Sequence, residues 1–385
     1  MTDDRASPSA EIDTPRTRLA KLFLVGDVMT GRGVDQILPH PGDPRIYEPY
    51  LGSAKDYLAL AERTNGPIQV PAPFSYVWGD ALHDLNRQRP DKRIVNLETA
   101  ITQVGRPAPK GINYRMNPAN IPVLCAARID CCVLANNHVL DWGEAGLLDT
   151  LRTLDDVGIA RVGAGADLPE AMAPAELSLP GGGRVLVFGY GSTSSGIPGS
   201  WAARKWRAGV NLLPDLSRRT VGQVAANVAS AKRTGDIVVI SVHWGPNWGY
   251  EIDDEEIAFA HALIDDAGAD AVHGHSSHHP KAIEVYKGKP IFYGCGDFLN
   301  DYEGIGGFES FRGDLSLAYY PTIDTSTGTL CRLDIVPYQI RNFRLNRASE
   351  QDTLWLFRRL AELEQRFGAT VNLEPDGASF TLAWK

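Results

Sequence analysis

The sequence predicts a layered α/β domain with mixed β-sheets, and three observations support this prediction. Short apolar runs typical of buried strands recur along the chain. Segments with helical periodicity lie between them. The late segment CRLDIVPYQI alternates apolar and polar residues, as antiparallel strands do. The predicted strands are KLFLVGD (21–27), RIVNLE (93–98), CVLANNH (132–138), RVLVFGY (184–190), DIVVISVHWG (236–245), ADAVHGH (269–275) and PIFYGCGD (290–297).

Three segments are predicted to be helices. EAGLLDTLRTLDDVG (144–158) ends on glycine, a common residue just past a helix end, and places on one face Leu147, Leu151, Leu154 and Val157. DDEEIAFAHALIDDAG (253–268) begins with acidic residues, which suit a helix amino terminus. QDTLWLFRRLAELEQRFG (351–368) is amphipathic. Residues 40–92 and 192–220 show no clear period, so we expect long loops there.

The chain is expected to form one domain with short additions at each end. Residues 1–18 contain little apolar surface to offset the entropy of ordering, so they are predicted to be a disordered tail. Residues 19–345 carry all the predicted strands and are expected to form the domain. Residues 346–385 are predicted to be a C-terminal helix and tail that pack on it.

Composition excludes several classes of protein. A net charge of −9 argues against binding nucleic acid through its phosphates. No stretch approaches the roughly 20 apolar residues that cross a bilayer, and the N-terminus has no signal-peptide core, so we expect a cytoplasmic chain without a membrane anchor. The odd number of cysteines predicts reduced core residues: Cys125, Cys131, Cys132, Cys295 and Cys331.

Polar side chains stand at or just past the ends of the predicted strands. In open α/β sheets, ligands bind outside the carboxyl ends of the strands. Carboxylate, amide and imidazole groups together suit Zn, Mn or Fe, whereas Ca and Mg prefer oxygen alone. Six of the nine histidines lie between positions 243 and 279. The residues concerned are Asp27, Glu98, Asn136, Asn137, His138, His243, His273 and His275.

Each of these signals also has a purely structural interpretation. Gly26-Asp27 can be a turn, a histidine in a sheet is usually a hydrogen-bonded core residue, and Asn136-Asn137 can cap the helix that follows. Their order along the chain is what favours a functional interpretation.

That ordered set resembles the CapA family of poly-gamma-glutamate capsule biosynthesis proteins, a branch of the calcineurin-like metallophosphoesterases. The resemblance covers residues from about 22 to 302, and the stretch NNHVLDWGEAGLLDTL is its most specific part. The other matching motifs are GDVM (26–29), NLE (96–98), HWG (243–245), GHSSH (274–278) and YGCGDF (293–298).

The resemblance implies a four-layer α-β-β-α sandwich with two mixed β-sheets and two divalent metal ions at one end of the sheets. By position, Asp27 and His278 are expected on the first metal and Glu98 between both metals. Asn137, His243 and His275 are expected on the second metal. His138 is the expected catalytic residue beside the substrate. Residues expected to orient these groups or touch substrate are Asn96, Asn136, His273, His279 and Asp297.

Three departures from the family pattern bear on the site. Met29 stands where related enzymes often have a histidine, so the first metal loses a nitrogen ligand. Asp297 replaces a common asparagine. Two serines also separate the ligands His275 and His278, where the family usually has histidine and proline.

The leading functional hypothesis is a metal-dependent hydrolase that acts on a phosphate ester or a similar small anionic substrate. A second is chemistry on a gamma-glutamyl amide bond, in poly-gamma-glutamate or small-metabolite biosynthesis, since the same activated water can attack such a linkage. A third is a non-catalytic capsule-assembly factor with a structural metal site, which would be coordinatively closed.

Overall fold

A computed structural model describes residues 19–385, and the predicted tail at 1–18 lies outside the described residues. The strands are β1 (Leu19–Val28), β2 (Lys92–Leu97), β3 (Ala100–Ile101), β4 (Arg115–Met116), β5 (Cys131–Val133), β6 (Ala160–Val162), β7 (Ala164–Gly165), β8 (Ala175–Ser178), β9 (Arg184–Gly191), β10 (Gly209–Val210), β11 (Ile237–His243), β12 (Ala271–His275), β13 (Ile283–Tyr286), β14 (Lys289–Phe292), β15 (Asp297–Leu299), β16 (Leu315–Asp324), β17 (Thr329–Ile340), β18 (Leu345–Arg347), β19 (Thr370–Leu373) and β20 (Phe380–Ala383). The helices are α1 (Arg32–Ile37), α2 (Ala54–Asn65), α3 (Ala81–Gln88), α4 (Pro122–Ala126), α5 (Gly143–Asp156), α6 (Leu168–Met172), α7 (Arg218–Ala231), α8 (Asp254–Asp265) and α9 (Glu350–Glu364).

Two mixed sheets form the centre of the molecule. The first has the order β19-β20-β17-β16-β1-β2-β5-β6, with β15 paired to β1 and β18 to β17. Its strands β1, β2, β5 and β6 are parallel, while β16, β17, β19 and β20 are antiparallel. The second has the order β13-β14-β12-β11-β9-β8, with a parallel centre and antiparallel edges. The predicted mixed architecture is confirmed.

Alternation along β1 shows how the layers form. Phe23 and Val25 pack with the helices on the outer face of the first sheet, and Leu22 and Leu24 pack against the second sheet. Successive strand residues point to opposite faces, so one strand supplies two cores. A third core joins the outer face of the second sheet to α7 and α8. These three cores make the four-layer α-β-β-α sandwich that the family resemblance implied.

The helices predicted at 144–158 and 253–268 agree closely with α5 and α8 of the structure. The long loops predicted at 40–92 and 192–220 were partly wrong, since the first range contains α2 and α3 and the second contains β10. Helix α2 has a capping box at its amino end but buries only three residues. Ser53 and Asp56, which form that capping box, were the available signal in the sequence.

The C-terminal segment joins the inter-sheet core. Helix α9 buries Leu356 and Leu360 against residues of both sheets. Beyond it, β19 and β20 pair with each other, and β20 pairs with β17. Residues 370–383 therefore extend the first sheet rather than forming a tail without secondary structure.

The five cysteines are free, and three of them are buried, as predicted. The prediction was wrong for Cys125 on α4 and Cys331 on β17, because both face outward from their elements and are exposed. Within residues 19–385, the helices are too short or too polar to cross a membrane.

Glu364 at the end of α9 gives the fold a testable pH dependence. It is buried and accepts a hydrogen bond from the Ile283 backbone N–H at 2.6 Å, while Oε2 has no partner among the described residues. Burial raises the pKa of Glu364 from 4.5 to about 8. The folded state binds the proton of Glu364 more tightly than the unfolded state does. The protonated Glu364 therefore contributes stability that is full below pH ~4.5 and is lost as pH rises towards ~8.

We therefore predict that Glu364→Gln gains stability relative to wild type as pH rises from about 5 to about 8, with a slope of up to ~1.4 kcal/mol per pH unit. Urea unfolding at several pH values measures the difference in free energy of unfolding between the two proteins. Glu362→Gln, at an exposed position of the same helix, is the matched control. A stability difference independent of pH would contradict the assigned pKa.

Candidate metal centre

The carboxyl ends of the parallel strands bring the predicted polar residues together at one edge of the sandwich. Asp27 and His243 lie at or near the ends of β1 and β11, and His275 is the last residue of β12. Glu98 directly follows β2. Strands β11 and β12 are in register, so that His243 pairs with His275. The topology therefore supplies one place for ligands from both sheets.

Asp27, His243 and His275 form one group that can hold a cation. Their ligand atoms all lie within 4.8 Å of one another, and all three side chains are buried. His275 Nδ1 is 3.9 Å from Asp27 Oδ1 and 2.8 Å from His243 Nδ1. The Ser241 hydroxyl lies 2.9 Å from His275 Nε2 and fixes the orientation of that ring.

Asp27, His278 and Asp297 form a second such group, with ligand atoms again within 4.8 Å of one another. Asp297 begins β15 and pairs in register with Asp27, which explains the proximity of the two carboxylates. His278 Nδ1 is 2.9 Å from Asp297 Oδ1, and Asn300 donates to Asp297 Oδ2 at 2.8 Å. Asp297 thus adds a candidate ligand to the group of the expected first metal, where Met29 replaces the histidine of related enzymes.

Glu98 lies between these groups and the predicted catalytic histidine. Its Oε1 is 4.0 Å from His243 Nε2 and 3.9 Å from His138 Nε2. Asp27 is common to both ligand groups and is therefore a second candidate for the bridging position expected of Glu98.

A chain of amide hydrogen bonds orders the loop after β5. Asn96 donates to Asp27 Oδ1 at 2.7 Å, and Asn136 donates to Asn96 Oδ1 at 3.1 Å. Asn136 Oδ1 in turn accepts from the backbone N–H groups of His138 and Val139. Asn96 therefore orients the expected ligand Asp27, and Asn136 orders the loop that carries Asn137 and His138.

His138 is fixed by three neighbours. Its Nδ1 lies 2.6 Å from Asp141 Oδ2, and Lys110 Nζ lies 2.7 Å from the other oxygen of that carboxylate. The ring stacks on Tyr114 with centroids 3.9 Å apart. His138 Nε2 is left to face Glu98. This geometry presents one imidazole nitrogen to the ligand groups.

His273 and His279 have structural partners. His273 Nε2 lies 2.9 Å from the Val25 carbonyl on the first sheet, and its Nδ1 lies 3.0 Å from the Ser241 hydroxyl. His273 therefore links the two sheets and, through Ser241, touches His275. His279 Nε2 accepts from the Gly249 backbone, and its ring packs in an aromatic cluster. Neither ring has a nitrogen free for substrate.

Burial dominates the electrostatics of the carboxylates and two of the histidines. Burial and the charge of Asp297 raise the pKa of Asp27 to about 7, and burial and Asp27 raise the pKa of Glu98 well above its usual range. Burial lowers the pKa of His243 and His275. A cation between these groups would reverse the effect on the carboxylates and reinforce the effect on the histidines, because it favours carboxylate and neutral imidazole.

The pKa values of His278 and His138 shift in opposite directions. Burial lowers the pKa of His278, but the charge and hydrogen bond of Asp297 outweigh burial and raise it. Burial lowers the pKa of His138 to about 4, although Asp141 acts in the opposite direction. His138 is accordingly neutral in the free protein near pH 7.

Unsatisfied buried atoms show that these residues fit a metal site. Asp27 Oδ2, Asn137 Oδ1 and His243 Nε2 are buried without a hydrogen-bond partner among the described residues. Buried polar atoms are normally paired, and each carries a lone pair that can coordinate a cation. All three were predicted as ligands from the sequence.

Several residues around the site escaped the sequence analysis. Asp141 lies three residues after His138 in the LDWG motif, which was the available signal. Lys110, Tyr114 and Asn300 come from loops without periodic pattern. No local signal in the sequence shows that these loops fold over the site.

Comparisons with known proteins identify relatives over most of the chain. The family profile described as Bacterial capsule synthesis protein PGA_cap matches residues 21–302. A protein of Mycobacterium tuberculosis strain H37Rv, described as a probable polyglutamine synthesis accessory protein, is 50% identical over 92% of this chain and 94% of its own. The PGA biosynthesis protein CapA of Bacillus subtilis is 29% identical over 86% of this chain and 76% of its own.

Among solved structures, a phosphatase from Mycoplasma pneumoniae matches with a TM-score of 0.46 and 12% identity, over 84% of this chain and 95% of that one. A likeness at this level has no bearing on activity. The sequence profile covers more than two thirds of the chain, and the mycobacterial relative aligns over nearly its whole length. The chain therefore belongs to the bacterial capsule synthesis protein PGA_cap family, as its motifs predicted.

Proposed function

We propose that this protein is a metal-dependent hydrolase that acts on a phosphate ester or a related anionic substrate. The observation that carries the proposal is the pair of ligand groups that share Asp27 at the carboxyl edge of the sheets. Two divalent cations, of which Mn, Fe or Zn suit this donor set, would supply an activated water and clamp the oxygens of an in-line displacement.

The ligands are assigned from the geometry of the two groups. His243 and His275 would hold one cation, with Asn137 Oδ1 as an oxygen donor. His278 would hold the other cation, and Asp297 would join the expected ligands there. Asp27 and Glu98 lie between the two sides.

His138 is assigned the proton-transfer role. Asp141 and Tyr114 fix its ring so that Nε2 faces the ligand groups. An anionic substrate beside Nε2 opposes the effect of burial and favours the imidazolium. The protonated ring then donates to the leaving oxygen, or stabilises its charge.

The second candidate is hydrolysis of a gamma-glutamyl amide by the same activated water. It is favoured by the names of two relatives, which refer to polyglutamine synthesis and to PGA biosynthesis. The word accessory in the first name also fits the third hypothesis, a non-catalytic assembly factor.

We predict that His138→Ala keeps its metal content and melting temperature close to those of wild type while turnover falls about 10²–10⁴-fold, the usual contribution of positioned proton transfer. His243→Ala should instead lose bound metal, because the proposal makes His243 a ligand. Metal analysis and initial rates on the same preparations measure both effects, with exposed His83→Ala as control. Metal loss in His138→Ala as severe as in His243→Ala would make His138 a ligand.

We also predict that purified protein contains divalent metal and hydrolyses members of a phosphate-ester panel. Chelation should abolish the activity, and Glu98→Gln should lower both metal content and rate. Release of phosphate from esters and of glutamate from gamma-glutamyl peptides is measured in parallel. Glutamate release alone would favour the second candidate. Metal-loaded protein inactive on both panels would contradict a hydrolase acting on either bond.

A further inference from the structure

A cavity of about 510 Å³ lies next to the residues that hold His138, and part of its lining is positively charged. Its charged lining consists of three arginines and one carboxylate, a local charge of +2 in a chain whose net charge is −9. Clefts lined by one sign of charge concentrate ligands of the opposite sign. The charged residues are Arg45, Arg106, Arg115 and Asp43.

The three arginines differ in how far they are already engaged. Asp43 accepts from Arg45 Nε at 2.8 Å and lies 3.8 Å from Arg115 Nη2. Arg115 Cζ lies 3.9 Å from the centroid of the Trp142 ring, and Nη2 donates to the Asp43 carbonyl at 3.0 Å. Arg106 is exposed and forms no ion pair within residues 19–385. Arg106 and Arg115 therefore retain hydrogen-bonding capacity for a ligand.

The cavity and the candidate metal centre share one wall. Tyr114 stacks on His138, and the next residue, Arg115, lines the cavity. Asp141 binds His138, and the next residue, Trp142, lines the cavity.

The loop between β3 and β4 reaches both places as well. Its Arg106 lines the cavity, and its Lys110 forms an ion pair with Asp141, the carboxylate that holds His138. A ligand with several anionic groups would therefore meet a cationic side chain at each place, Arg106 in the cavity and Lys110 beside His138.

We propose that this cavity is an anion-binding subsite for an extended substrate that carries several carboxylate or phosphate groups. Arginine recognises both oxyanions through charge-assisted, often bidentate hydrogen bonds. The inference rests on the proposed function only in placing the reacting bond at the metal centre. Asp43 is the internal counterion with which a bound anion competes.

Isothermal titration of the full chain at low ionic strength tests the subsite with three probes: γ-linked pentaglutamate, its amidated counterpart and tripolyphosphate. Wild type should bind at least one charged probe, which identifies the anion, and should bind the amidated pentamer far more weakly. Arg106→Gln should weaken binding on the order of tenfold. Asp43→Asn should tighten it about threefold, because the competing anion is removed.

Arg128→Gln is the matched control. It makes the same charge change at an exposed residue that precedes the amino end of β5, at the opposite edge of the sheet. Any binding at the metal centre is common to these proteins and cancels in the comparison. Equal affinity of Arg106→Gln and wild type for the charged probes would overturn the subsite, as would failure of wild type to bind them. Failure of the proposed function is separate, since it appears as missing metal or as metal-loaded protein that hydrolyses neither panel.

Discussion

The pairing of β1 with strands on both sides is the constraint on which the site depends. Asp27 pairs in register with Asn96 on β2 and with Asp297 on β15. Strands β1 and β15 can approach each other because residue 26 is glycine. A Cβ at that position would lie 1.9 Å from the Gly296 carbonyl oxygen. This close approach sets Asp297 beside Asp27 and creates the second ligand group. The first group requires the second sheet, whose His273 is hydrogen-bonded to β1 through the Val25 carbonyl.

The same arrangement has an electrostatic cost. Asp27, Glu98 and Asp297 are buried together, and burial, with their mutual repulsion, raises the pKa of Asp27 and of Glu98. The hydrogen bond from Asn96 to Asp27 offsets only part of this effect. Buried charges without compensation are strongly destabilising, so cation binding and fold stability should be linked at this edge. Natural proteins commonly accept lower stability at sites of function.

The apolar runs predicted a layered α/β domain with polar residues at the strand ends, and the family resemblance implied the sandwich and the ligand set. Asp27, Glu98 and His243 each end or follow an apolar run, and a run of that kind is visible without a structure. Lys110 and Tyr114 were missed because a loop distant in the sequence brings them to His138. The orientation of His273 towards the first sheet was also unpredictable, since it depends on how the two sheets pack.

Anomalous diffraction from crystals soaked in manganese tests the central claim most directly. The account predicts two peaks beside Asp27, one bounded by His243 and His275 and the other by His278 and Asp297. Their expected separation is about 3.5–4 Å, as in two-metal hydrolases. A single peak, or peaks remote from Asp27, would contradict the account.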